Sequence, residues 1–312
     1  MGYAMVMGEA LIDLLEADLD GEQIYRQAIG GAPLNVAVGV ARLGGSVRYA
    51  GALSGDVLGE RIAAFLDDAG VDRSGVRRVG VPTTLAVTTF EGAEPTFTFY
   101  GEPPSYALLG PDDLDTAAVA SASVLYTGSI CLLREPFRAA ARAAWATAGP
   151  IRVFDPNVRP TLLPGAADVD ALRDLVEEFF ATADLVKLSA ADAEVLYGEP
   201  DPARAADRIR ALGAGAVVVT CGSRGAHVAA ADGAAMLPAP SVAAIDATGA
   251  GDSVMGALVS RLLAEGRPDG LSDWQRHVRF ALAVAGLVCE RKGGATAMPT
   301  PPELTTRWGA LV

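Results

Sequence analysis

Positive charge is scarce in this chain: 25 Lys and Arg stand against 38 Asp and Glu, a formal net charge of −13 over 312 residues. A field of that sign repels nucleic acid and anionic membrane, so any phosphate ligand has to be held by local donors. Histidine is scarcer still, with only His227 and His277. A Ser-His-Asp triad or a histidine-rich metal centre would need one of them, and neither sits beside a matching motif; both read as ordinary residues. The three cysteines, Cys131, Cys221 and Cys289, are far apart and form no CxxC pair, which argues against a disulfide framework and a zinc site and suits a reducing cytoplasm. Apolar runs are broken by Arg, Asp or Gly before they could span a bilayer, and no charged, then apolar, leader opens the chain. No membrane or nucleic-acid partner and a cytoplasmic location are therefore expected. Aromatic residues make up 6% of a chain that is 51% hydrophobic, so its core is one of aliphatic side chains and alanine.

What is present is alternation. Short apolar runs at 3–8, 123–128, 151–155, 184–189 and 216–220 predict strands buried on both faces. Helical periods at 33–43, 58–69, 135–147, 169–181 and 203–212 lie between them. Strand and helix in turn imply an α/β fold with a mostly parallel sheet covered on both faces. One region breaks the rhythm: 11–15, 23–29, 85–90 and 96–100 predict strands with no helices between, and EGAEP at 91–95 predicts a hairpin turn. These predict a small sheet, a lid, over one edge of the main body. Its Leu85, Val87, Phe97 and Phe99 suggest an apolar face for pairing with a second subunit. Ligands of such open sheets bind beyond the carboxyl ends of the strands, which predicts that Asp155, Ser189, Gly222 and the loop around Gly249 converge.

That loop lies in IDATGAGDSVMGAL, 245–258. Gly249, Ala250 and Gly251 leave backbone N–H groups free to approach an anion, and a helix predicted from Ser253 adds its positive end. A tight turn with Asp252 as helix cap fits the same residues. A Rossmann GxGxxG needs glycine where Val254 stands, and no GK[ST] Walker loop or protein-kinase HRD or DFG element is present; the glycine spacing thus disfavours an NAD(P)-dependent oxidoreductase. A second glycine motif, GGAPLNVAVGVARLGG at 30–45, precedes it.

The two motifs, in this order, resemble the paired signatures of the PfkB (ribokinase-like) family of sugar and nucleoside kinases. GEALIDLL (8–15), GDVLGERIAAFLDDAGVD (55–72), FTFY (97–100), FDPNVRP (154–160) and VKLSAADAEVLYG (186–198) are similar to segments of its fructokinases and 2-keto-3-deoxygluconate kinases. The resemblance implies a three-layer α/β/α fold with a small β-sheet lid from 11–29 and 85–101, residues 1–312 forming a single kinase domain. It implies transfer of the ATP γ-phosphoryl group to a sugar, D-fructose first, with Asp252 as catalytic base and the amides of Gly249, Ala250 and Gly251 as anion hole. 2-Keto-3-deoxygluconate and other sugars or nucleosides are alternative acceptors, and a non-catalytic sugar- or nucleotide-binding regulator is a reading of another class.

By the same resemblance Asp13, Gly30, Gly31, Asn35, Tyr100 and Arg159 face the sugar. Asn157, Lys187, Ser189, Thr220, Gly222, Ser223 and Gly225, with Gly249 and Gly251, serve ATP. Asp192 is matched to a glutamate that contacts Mg²⁺ through water. Asp246, Thr248, Val288, Arg291 and Gly293 match a K⁺ loop built mostly of backbone carbonyls, and a homodimer through the lid is implied. On the residues alone, Asp13 could be a polar strand end, Asn35 a helix residue and Arg159 half of a surface ion pair. The chain departs from the pattern at Gly101 and Glu102, where an arginine is common, the added carboxylate disfavouring an acidic sugar. It departs also at Leu282, where asparagine is frequent beside adenine, and at Ala247 and Ala297 in the cation loop.

Overall fold

In the computed structural model, which describes residues 2–91 and 94–309, with only the backbone of 90, 91 and 94–97, each apolar run forms a strand and each helical period a helix. The chain runs β1 (Ala4–Met7), β2 (Leu11–Leu19), β3 (Glu22–Gly30), α1 (Ala32–Arg42), β4 (Val47–Ser54), α2 (Val57–Asp68), β5 (Asp72–Val79), β6 (Leu85–Glu91) and β7 (Glu94–Tyr100). It continues through α3 (Thr116–Ser121), β8 (Val124–Gly128), α4 (Phe137–Trp145), β9 (Ile151–Asp155), α5 (Ala166–Phe180), β10 (Leu185–Ser189), α6 (Ala190–Tyr197), α7 (Pro202–Leu212) and β11 (Ala216–Thr220). Then follow β12 (Ala226–Ala230), β13 (Gly233–Leu237), α8 (Ala250–Glu265), α9 (Leu271–Cys289) and α10 (Pro301–Trp308).

Nine strands make the main sheet in the order β13-β12-β11-β10-β9-β8-β1-β4-β5. All pairs are parallel except β11–β12 and β12–β13. One face packs on α1, α2, α8 and α9 through residues such as Leu34, Ile62, Leu258 and Val284. The other packs on α4, α5, α6 and α7 through Phe137, Phe179, Leu196 and Ile209. The fold is thus the expected three-layer α/β/α. From β1 the chain steps to β4 on one side and later to β8 on the other, so the strand order reverses between β1 and β8. Crevices for ligands open at such reversals, beyond the carboxyl ends of the strands.

Three strands carry no apolar run strong enough to announce them. β5 has Arg73, Arg77 and Arg78 in eight residues and lies at a sheet edge, β4 is interrupted by Arg48 and Gly51, and β13 is a short edge strand. The lid is a four-stranded sheet, β3-β2-β6-β7, with β2 and β6 parallel and both outer pairs antiparallel. β6 and β7 form the expected hairpin, although Gly92 and Ala93 of its turn lie outside the described residues. Register corrects one expectation about this sheet. Phe99 pairs with Ala86 and Tyr100 with Leu85, so alternation puts Leu85 and Val87 on the opposite face from Phe99. The Phe97 side chain lies outside the described residues.

Candidate active site

The loop at Gly249 sits between two cavities. One, of about 890 Å³, is floored by Glu9 after β1, Ser129 and Ile130 after β8, and Val158 and Arg159 after β9; Asp13, Ala86, Thr88 and Phe99 of the lid roof it. The other, of about 620 Å³, is walled by Thr220, Gly222, Ser223 and Gly225, by the coil from Ala239 to Ala244, and by Leu282, Ala285, Gly286 and Cys289 of α9. Gly249 and Asp252 line the first cavity, whereas Ala250 and Gly251 line the second. One helical turn thereby faces both.

The turn starts earlier than its sequence suggests. α8 begins at Ala250, with Gly249 as N-cap at φ 75°. A Cβ there would meet Gly294 Cα at 2.7 Å, so glycine is required by conformation and by space. Asp252 is therefore in the first turn and does not cap the helix. Its carboxylate accepts instead from Asn35 Nδ2 at 2.7 Å and Asn157 Nδ2 at 3.4 Å. The Ala250 amide donates to the Ala247 carbonyl at 3.1 Å. Of the anion-hole amides expected from sequence this one is engaged, while the Gly251 and Asp252 amides have no backbone acceptor among the described residues.

Asn35 reaches Asp252 from α1, whose entrance is shaped by Gly30 and Gly31. Gly31 has φ 116°, and a Cβ on it would overlap the Glu9 carbonyl; one on Gly30 would overlap the Asp13 carboxylate. Asn157, at φ 40°, holds a left-handed conformation that asparagine tolerates better than most residues. Its amide donates to Asp155 Oδ1 at 3.1 Å, and its side-chain oxygen accepts from Arg159 Nη1 at 2.5 Å.

Beneath the loop lies a buried charge cluster. Lys187 Nζ contacts Asp155 Oδ2 at 2.8 Å, both fully buried. Burial pushes Asp155 up to about 6; the Lys187 ammonium opposes this, and Asp192 and Asp252 add to it. Burial works against the charge of Lys187, yet Asp155, Asp192 and Asp252 outweigh it and hold the ammonium protonated. Three carboxylates around one ammonium leave a local surplus of negative charge. Asp13 is also pushed up to about 6, by burial first, with Arg159 opposing and Asp252 adding.

A family model described as pfkB family carbohydrate kinase matches residues 1–301. The chain belongs to the pfkB carbohydrate kinase family. It is 35% identical over 309 residues to a fructokinase of Klebsiella pneumoniae, spanning 97% of this chain and 98% of that one. A fructokinase of Vibrio cholerae O395, solved with fructose, ADP and calcium ion bound, superposes with a TM-score of 0.86 at 30% identity, covering 98% of each chain. A double mutant of that enzyme was solved with fructose, ADP and potassium ion. The aminoimidazole riboside kinase of Salmonella enterica, in complex with aminoimidazole riboside and an ATP analogue, superposes with a TM-score of 0.85 at 28% identity over 97% of this chain and 98% of that one.

In this pfkB kinase most residues singled out from sequence fall at the two cavities. Asp13, Gly31, Asn35, Arg159, Gly249 and Asp252 line the first; Thr220, Gly222, Ser223, Gly225 and Gly251 line the second. Others do not. Tyr100 is 55% exposed and lines neither, because its strand turns Phe99 to the cleft. Glu102 lines a neighbouring cavity of about 650 Å³ that meets the cleft at Phe99 and Thr161, so its carboxylate does not stand among the cleft residues. Lys187 and Asn157 lie under the loop, and neither they nor Ser189 stand on the wall of the second cavity. Ser189 and Asp192 form a capping box at the start of α6, Asp192 accepting from Ser189 N at 2.8 Å and Val158 N at 3.0 Å. Asp246 accepts from Thr248 N at 2.8 Å and Gly293 N at 3.0 Å, tying the two halves of the expected cation loop; the Val288 carbonyl accepts from Arg291 N.

Several cavity residues escape sequence reasoning. Glu9, Thr88, Arg26 and Lys292 line the first cavity, and the PAPSVAA stretch forms a wall of the second. The alternation of the lid strands could have found Thr88 and Phe99 from Asp13. The isolated Glu9 gave no pattern. Among the described residues no helix is long and apolar enough to cross a membrane, and no group of three or more His, Cys, Asp or Glu is placed to hold a metal ion. His227 and His277 line neither cavity.

Proposed function

We propose that this pfkB kinase is an ATP-dependent fructose kinase, with the sugar in the first cavity and the nucleotide in the second. The observation that carries the reading is the placement of one helical turn, Gly249–Asp252, on the boundary of the two cavities, the carboxylate facing one and the bare backbone the other. The likeness to fructokinases over nearly the whole chain supports fructose as acceptor. The cleft suits a polyol: Asp13 and Asp252 are acceptors, Asn35 adds a buried oxygen without a partner, and Arg159 is a donor.

In the reaction a fructose hydroxyl held near Asp252 attacks the γ-phosphorus. The new O–P bond forms as the bond to the ADP oxygen breaks, and the hydroxyl proton passes to Asp252. The transition state is loose, so positioning and charge stabilisation dominate and the base accepts its proton late. The Gly249, Gly251 and Asp252 amides and the positive end of α8 stabilise the charge on the transferring group. Asn35 and Asn157 fix the rotamer of Asp252 by a hydrogen bond to each oxygen.

Asp192 would hold Mg²⁺ through water, and the metal would neutralise charge on the nucleotide phosphates. Both Asp192 oxygens already hold a backbone amide, which fits an outer, water-mediated contact and not direct ligation. K⁺ is proposed for the loop of Asp246, Thr248, Val288, Arg291 and Gly293, whose two segments the Asp246 carboxylate holds together. We further propose that residues 1–312 work as one unit, in the cytoplasm, where free thiols such as Cys131, Cys221 and Cys289 persist. A homodimer through the lid completes the reading. Leu15 and Leu19, 38% and 51% exposed, share the face of Asp13, and a second lid would cover them. Sedimentation at micromolar concentration should give the dimer mass; a monomer mass contradicts it.

The test is release of ADP with fructose, other ketoses and aldoses, 2-keto-3-deoxygluconate, ribose and adenosine, with Mg²⁺ and either K⁺ or Na⁺. Fructose should give the highest kcat/KM, and K⁺ should exceed Na⁺. Preference for another acceptor overturns fructose; binding of sugar and ATP without ADP release favours a regulator instead.

A further inference from the structure

Three buried polar side-chain atoms that line the sugar cleft have no hydrogen-bond partner: Glu9 Oε2, Asn35 Oδ1 and Thr88 Oγ1. Folded proteins rarely leave such atoms unpaired, and three in one cleft mark a place where a hydroxylated ligand completes the bonding. Asn35 is accounted for above. Glu9 and Thr88 are not.

Glu9 is 2% exposed and sits directly after β1, at the reversal of strand order where the crevice opens. Ser129 and Cys131 stand near its carboxyl, which has an oxygen without a hydrogen-bond partner. Thr88 is 3% exposed, on β6 opposite Leu15, and alternation along β6 places it on the same lid face as Ala86, the partner of Asp13. One residue belongs to the floor and the other to the roof of the same cleft.

We propose that Glu9 and Thr88 are further sugar-recognition residues of this kinase, each hydrogen-bonding a hydroxyl of the acceptor held between the cleft floor and the lid. The inference rests on the kinase reading above and extends it to specificity. Burial pushes the Glu9 carboxyl up against the pull of Ser129, Cys131 and Arg159, which favours the neutral acid, a group that both donates and accepts. Such a group reads a hydroxyl without placing another full negative charge beside Asp13 and Asp252. A buried group that loses its partner discriminates strongly, so an acceptor lacking the matching hydroxyl is rejected.

The test compares wild type, Glu9→Leu, Glu9→Gln and Thr88→Val on fructose and on its monodeoxy analogues. Glu9→Leu should raise KM for fructose about 10- to 100-fold, the loss of one buried hydrogen bond, with kcat within about 3-fold. Glu9→Gln, which keeps a donor and an acceptor, should restore KM to within about 5-fold of wild type. One deoxy analogue should be poor for wild type yet no worse than fructose for Glu9→Leu, and a different one should behave so with Thr88→Val, as expected when variant and analogue remove the same bond. An unchanged KM in a folded Glu9→Leu overturns the proposal for Glu9, and an unchanged KM in Thr88→Val overturns it for Thr88. Should Glu9→Leu fail to fold, the wild-type structure with fructose decides: Oε2 lies within about 3.2 Å of a sugar hydroxyl, or a water or protein atom there overturns it. Lack of wild-type turnover with fructose overturns the fructose reading alone, and the same comparison is then made on the acceptor that wild type does phosphorylate.

Discussion

At the scale of the residue, the cleft is governed by carboxylates that differ in what surrounds them. Asp13 is raised to about 6 by burial, against Arg159 and with Asp252. Between its unfolded value near 4 and about 6 the folded state binds the extra proton, so this group's contribution to stability is full below pH 4 and is lost as pH rises through 6. Asp13→Asn removes that loss. The variant should gain roughly 2 kcal/mol on wild type by pH 8 relative to pH 4, read by urea unfolding at both, while its KM for fructose rises. A difference between variant and wild type that does not change with pH contradicts the assignment. Residue identity was legible where a residue carries chemistry inside a motif: Asp13, Asn35, Arg159 and Asp252 all reach the cleft. Phe99, and not the expected Tyr100, turns to the cleft, because the choice between two adjacent strand residues depends on pairing register, which is a long-range property. Glu9 lies within GEALIDLL without a pattern to mark it, since its significance lies in an unpaired oxygen that only the packing reveals.

At the scale of the element, the entrance of α2 shows how the lid is held. Burial alone would raise the Asp56 carboxyl, but hydrogen bonds from the Thr83 hydroxyl, the Gly59 and Thr83 amides and Ser54 lower it to about 2. Asp56 caps α2 through Leu58 N at 3.1 Å and Gly59 N at 2.8 Å, and the same side chain takes Thr83 N at 2.7 Å at the root of β6. One aspartate thus joins a helix start to the lid. Its contribution is present above pH 4 and is lost as pH falls towards 2. Asp56→Ala should destabilise by about 1–3 kcal/mol at pH 7, and the gap to wild type should narrow at pH 3. Unfolding curves at the two pH values check this, and equal gaps would contradict it. Helices and central strands were legible because their apolar periods are local. The start of α8 was not: Gly249 and Gly251 have little helical preference of their own, and the contact of Gly249 with Gly294, from a distant part of the chain, fixes where the turn begins.

At the scale of the whole molecule, a chain of net charge −13 has to bind a polyanion, and the architecture meets this with backbone. Helix α8 points its N-terminus at the boundary of the two cavities, and Lys187 lies beneath it, paired with Asp155 and with Nζ 3.1 Å from where a Gly251 Cβ would stand. The alternation of strands and helices announced the three layers, and the general rule for open parallel sheets announced the crevice. Of the second cavity, the wall at Thr220, Gly222, Ser223 and Gly225 was legible, but the coil from Ala239 to Ala244 was not, since it has no periodic signal. In the proposed mechanism this loop transfers a phosphoryl group between those cavities with Asp252 as base. The direct measurement is ADP release with fructose, Mg²⁺ and K⁺ by wild type and by Asp252→Asn, which keeps the size of the side chain and removes its charge and one of its two acceptor oxygens. The account predicts that kcat falls by about 100- to 10,000-fold with little change in the KM for ATP. Turnover by the variant equal to that of wild type would contradict it.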